Sequence, residues 1–204
     1  MTAIFETPAE TLGEHIARLA AIESEADTVQ LWQPMLIPGL LQTHAYAAAS
    51  IHALAPALPL DVVDHRADLR QQRIDHLGRP GARSITAIID EAALYRPVGG
   101  YATLAAQLEH LLAVEALQPS LTIRVLPQGS EAHPGLAGAF TLYRAAGKRA
   151  VFVEALTESV IRTRPEDVAA YSSAWDRLLG LALSARESVA LIDGTRGTLC
   201  RRSN

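Results

Sequence analysis

The residue pattern changes character after Gly81, and that change limits the fold more than any other feature. Up to that point the chain reads as helix; beyond it, short β-branched runs alternate with helical ones. "SITAIID" (Ser84 to Asp90) is short and rich in β-branched residues, as a strand requires. "YATLAAQLEHLLAVEAL" follows as an amphipathic helix with Tyr101, Leu104, Leu108, Leu111 and Leu112 on one side. "LTIRVLP" is a second strand, with Leu121, Ile123 and Val125 on one face. "AFTLYRA" and "AVFVEAL" flank "AGKR", a hairpin turn in which Gly147 supplies the unusual dihedral.

The flanking segments are helical. Thr7, Pro8 and Glu10 form a start signal for a first helix. Leu12, Ile16, Leu19, Ile22, Ala26 and Val29 carry it to about Trp32. Pro34 and Pro38 end it, because each disfavours helix at the residue before. A second helix is expected from about Gly39 to Leu54, and a third from Asp61 to about Leu77. Thr163, Pro165 and Glu166 open a helix with a Val168, Tyr171, Trp175, Leu178 and Leu179 stripe; Ser184 and Glu187 cap a last short one. The expectation is one α+β domain over residues 1–192. Its helical layer (8–78) packs on a small mixed sheet of about four strands within 84–192, and residues 193–204 form a flexible tail. Strands 84–90 and 121–127 flank a helix and are expected to lie parallel.

Charge and composition narrow the function. Acids outnumber bases for a net charge of -4, which leaves no basic face for a nucleic-acid backbone. One cysteine, Cys200, excludes an internal disulfide. No apolar run is long enough to span a membrane, and the start lacks the basic and apolar regions of a signal peptide, so a cytoplasmic protein is expected. Asp61, Asp64 and Asp68 share a helical face but read as a solvated surface, and no metal or cofactor is expected.

Three stretches are candidates for a site. In "LWQPMLIPGLLQTHAYAAAS" the chain turns sharply at Pro38-Gly39. This is either a packing elbow or the wall of a pocket lined by Trp32, Gln42 and Tyr46, since Trp and Tyr join apolar area to a polar handle. In "DEAALYRPVGG", Glu91 and Arg96 either pair across the turn or reach into a cleft at the strand's C-terminal end. In "GSEAHPGLAGAF", His133 lies two positions from Glu131 in a loop between strands. It either serves the loop's own backbone or acts as a general acid/base.

The same stretches carry a resemblance. "W-x-P-x-L-I-P-G-L-L-Q-T-x-x-Y-A", "IIDEAALYRPVGG" with the following "QLEHLL", "VLPQGSEAHPGLAGAFTLY" and "VFVEAL" occur in the order of a domain of unknown function. The chain resembles that domain over roughly residues 10 to 192. It commonly follows an XRE-type helix-turn-helix in antitoxin-like transcriptional regulators of high-GC Gram-positive bacteria. Few residues precede Thr7, so the resemblance implies that domain without its DNA-binding partner. Two functions are compatible with these residues. One is a sensing or interaction domain, expected as a homodimer, that holds an apolar small molecule or a protein. The other is a cofactor-independent enzyme of small-molecule (natural-product) biosynthesis using His133 and Glu91; in either, Trp32, Gln42, Tyr46 and Arg96 are the expected ligand-binding residues.

Overall fold

A computed structural model describes residues 21–23, 25–77, 84–154 and 159–202. The expected helix start at Thr7 lies outside these residues. The fold is α+β: a six-stranded mixed sheet flanked by helices. Strand β1 is Thr28–Gln33, β2 Ser84–Asp90, β3 Leu121–Leu126, β4 Phe140–Ala145, β5 Lys148–Glu154 and β6 Ser159–Arg162. The helices are α1 His44–Leu54, α2 Leu60–Leu77, α3 Tyr101–Leu117, α4 Pro165–Leu181 and α5 Ala185–Arg202. Strand order is β3-β2-β1-β4-β5-β6. The first three strands are mutually parallel, and β4, β5 and β6 pair antiparallel from β1 outward. The expected parallel pairing of β2 with β3 is present.

Two elements replace expected helix or loop and bring the strand number to six rather than four. Residues 28–33 form the strand β1, not the end of the first helix. Val29 and Leu31 are buried on one face of the sheet and Trp32 on the other. Ala26 and Val29 also fit helical spacing, which concealed the alternation of Val29, Gln30 and Leu31. Strand β6 has four residues, too few to show a period. The second helix begins at His44, not Gly39. Gly39–Leu41 is a single 3-10 turn, and Thr43 Oγ1 accepts from Tyr46 N–H at 3.3 Å to cap α1.

The expected tail is also corrected. Helix α5 continues through residues 193–202 despite Gly194 and Gly197. Ile192, Thr195 and Leu199 are 1%, 4% and 2% exposed, so burial of one helical stripe outweighs the low helix propensity of glycine. Helices α3 and α5 cover one sheet face, where Ile85, Ala87, Ile89, Leu121, Ile123 and Val125 meet Leu104, Leu108 and Leu111. Helix α4 covers part of the other, packing Val168, Trp175 and Leu178 against Trp32, Ile88, Phe140, Leu142 and Val151. The α1–α2 hairpin has its own small core of Ala47, Ile51, Val63 and Ala67.

Half-buried His110 on α3 has its pKa lowered by burial. Its folded value lies below the unfolded one, so stability is unaffected above the ordinary imidazole pKa of about 6.5 and is lost as pH falls from there through the depressed folded value. Urea midpoints measured across this range are expected to fall on the acid side, and His110→Gln to flatten that limb. An unchanged limb in the variant would assign the acid sensitivity elsewhere.

Candidate functional site

The C-terminal ends of β1, β2 and β3 lie side by side, as their parallel pairing requires; the connections that leave them carry Gln42, Glu91, Arg96 and His133, while Trp32 lies in β1 and Tyr46 in the first turn of α1. The elbow after β1 is tied by buried polar side chains. Gln42 Nε2 donates to Ile37 O at 2.7 Å, and Ile37 N–H donates to Tyr46 Oη at 3.3 Å. Gln107 of α3 reaches across with both ends: Nε2 donates to Leu41 O at 2.7 Å, and Oε1 accepts from Thr43 N–H at 2.7 Å. Arg70 of α2 bridges Gln42 Oε1 at 2.9 Å and Ser50 Oγ at 3.3 Å. Gln42, Tyr46 and Gln107 are all buried. Burial pushes the Tyr46 phenol pKa up, so this group stays neutral. The polar groups of Gln42 and Tyr46 therefore serve the backbone of the elbow, which would otherwise bury unpaired amides.

Glu91 and Arg96 do not meet as a pair. Glu91 Oε2 accepts from Gln128 N–H at 2.9 Å, tying the loop after β2 to the loop after β3. Arg96 Nε donates to Met35 O at 3.1 Å, tying it to the loop after β1. These two carboxylate and guanidinium contacts join three neighbouring loops into one surface. Met35 stands exposed on it at 52%; Tyr95, next to Arg96 in sequence, is 46% exposed, and its hydroxyl accepts from Thr195 Oγ1 of α5 at 3.4 Å.

His133 precedes the 3-10 turn Pro134–Ala137. Its ring meets Trp32 edge-on, with centroids 5.7 Å apart and planes at 89°. Among the described residues its buried Nδ1 has no hydrogen-bond partner. Glu131, the acid nearest in sequence, pairs with Arg177 of α4 at 3.1 Å and so is directed elsewhere. Trp32 is fully buried, and its indole N–H donates to Gly135 O at 3.0 Å. Next to this turn, Pro134, Gly138, Phe140, Val153, Tyr171 and Ala174 line a cleft of about 60 Å³. Phe140 and Tyr171 form its aromatic wall, with centroids 5.1 Å apart. Preformed small-molecule pockets occupy roughly 300–1,000 Å³, so this cleft admits a small group rather than a whole organic substrate.

A sequence model of a family, a domain of unknown function named DUF5753, matches residues 16–194. The chain belongs to DUF5753. The match takes in all six strands, the elbow and the His133 loop, and ends within α5. No curated protein matches the chain. Three residues central to this DUF5753 architecture escaped sequence reasoning. Gln107 carried a signal: it stands a turn from Leu104 and Leu111, a polar residue within an apolar stripe. Arg70 and Gly135 carried none, because their roles depend on contacts between distant segments.

Proposed function

We propose that this DUF5753 chain is a protein-interaction domain of the transcriptional-regulator type. It holds a partner on the surface formed by the loops after β1 and β2, without turning over a substrate and without gripping nucleic acid itself. The observation that carries this reading is exposed apolar Met35 and Tyr95 on loops joined through Arg96. Interfaces are enriched in Met, Tyr and Arg relative to the rest of the surface. The engagement of Gln42 and Tyr46 in backbone bonds supports it too, since these groups are then not directed at a ligand. The motif resemblance to antitoxin-like regulators supplies the regulatory context, and the net charge of -4 argues against duplex binding. None of the described helices is long and apolar enough to cross a membrane.

One observation favours the enzyme reading instead: His133 Nδ1 is buried with no hydrogen-bond partner among the described residues, in the residue that precedes Pro134 of the cleft wall. The two readings separate in one experiment. Native purification from the host is expected to retain a partner at fixed stoichiometry. Met35→Asp is expected to release it while leaving the urea midpoint unchanged. Retention of the partner by that variant would reject the proposed surface. Turnover of a small molecule that His133→Ala abolishes would establish the enzyme.

A further inference from the structure

The two edges of the sheet are finished differently. The outer edge of β3 is sealed by the segment linking α4 to α5 and by the first turn of α5. Val125 N–H donates to Ser188 Oγ at 2.9 Å, and Leu183 N–H donates to Val125 O at 2.9 Å. Arg124 adds bonds to Leu183 O at 2.6 Å and Ala182 O at 2.7 Å. The other edge is β6. Among the described residues its backbone pairs with β5 alone. An unpaired strand edge offers a row of amide donors and acceptors to any extended chain, and proteins usually guard it with charge, proline or a covering segment. Ser159, Val160 and Ile161 carry neither charge nor proline; shortness and the single charge of Arg162 are the only guards on this four-residue strand among the described residues.

The surroundings of this edge have a sign. Arg144 and Arg149 are direct cross-strand partners on β4 and β5, both exposed. Like charges in that position repel. The register places Arg162 of β6 on the same sheet face, opposite Val151. Asp27 engages Arg144 at 3.0 Å and Asp167 lies 3.7 Å from Arg162. Arg149 and its neighbour Lys148 have no ion pair among the described residues. Glu154, opposite Ser159, lies at the other end of β5. In a chain of net charge -4, this gathering of cations runs against the overall balance.

From these observations we infer that β6 receives an extended acidic segment of a partner protein as an added strand. Backbone bonds to β6 supply affinity, as in other strand additions, and acidic side chains on the Arg149–Arg162 face supply selectivity. A second copy of the chain would bring the same cations to the edge and leave Arg149 uncompensated. The β6 surface lies on the far side of β4 and β5 from the elbow, and the inference does not rest on the partner surface proposed above.

Fluorescence anisotropy with a short labelled peptide of alternating Glu and Val, against its alternating Lys and Val counterpart, tests this. The acidic peptide is expected to bind saturably and to weaken with salt, and the basic one not to bind. Arg149→Glu, on an exposed position, is expected to weaken binding by about tenfold or more, equivalent to about 1.4 kcal/mol. Ile161→Pro is expected to remove it by blocking a strand-edge amide or distorting the strand; Arg149→Glu keeps the test valid if that variant unfolds. Equal binding of both peptides, no binding of the acidic one, or an unchanged Arg149→Glu affinity would overturn the inference. So would a dimer in light scattering that Ile161→Pro converts to monomer, because the edge would then belong to a second copy.

Discussion

Gly135→Ala is expected to lower unfolding free energy by about 3 kcal/mol, the upper end of overpacking costs in a filled core. A Cβ at this position would lie 2.7 Å from Trp32 Cε2 and Nε1, and 2.9 Å from Leu178 Cδ2. Neither neighbour has room to yield: Trp32 and Leu178 are both 0% exposed, one held by β1 and the other by α4. The added methyl would also press on the Trp32 indole, whose N–H donates to Gly135 O. Urea denaturation of the variant measures the loss. Leu136→Ala, one residue on and 71% exposed, serves as the control and is expected to change stability by less than about 0.5 kcal/mol. Equal effects of the two substitutions would mean that the turn does not seat on Trp32.

Gln107→Leu is expected to cost a similar amount, about 3 kcal/mol, for a different reason. Leucine fills nearly the same volume, so little packing is lost. Leu41 O and Thr43 N–H, each bonded to the Gln107 amide at 2.7 Å, would be left without that partner. Leaving buried polar groups unpaired carries the desolvation penalty of each group, while removing both sides of a hydrogen bond does not. Thermal and urea unfolding of Gln107→Leu measures the effect. A loss below about 1 kcal/mol would show water replacing the amide, and the elbow would then be a wet cavity rather than a sealed turn.

These two positions also mark where sequence reading reached its limit. Prolines 34 and 38 located the elbow, and Gln42 and Tyr46 lie in it, whereas Trp32 belongs to the opposite face of the sheet, against Gly135 and His133. What could not be read was the direction of the elbow's polar groups, because Gln42 answers to Ile37 and Arg70, and Leu41 and Thr43 answer to Gln107, more than 60 residues away. Strand β3 and helix α3 were legible from their periods, and β2 from its shortness and β-branched content, since Ala87, Ile88 and Ile89 are buried on both faces. Strand β1 was not, since Val29 satisfies both the helical and the extended spacing. Its partners, Ser84–Ile89 and Phe140–Arg144, decide between the two. The end of α5 was misread from two glycines, whereas Ile192, Thr195 and Leu199 repeat at helical intervals on a buried side. Glu91 and Arg96 were placed at the right edge of the sheet, but the loops they brace, around Gln128 and Met35, come together only in three dimensions.

The location of β1 between β2 and β4 also sets an order of assembly. Thr28 and Arg144, joined at 2.8 Å, are 116 residues apart. A ribosome must therefore deliver more than half of the chain before the middle of the sheet can close. Until then β1 can zip only onto β2, with its opposite side bare. Contacts of such long separation slow folding, so a nascent chain stalled before β4 should be the species most prone to aggregate or to recruit a chaperone.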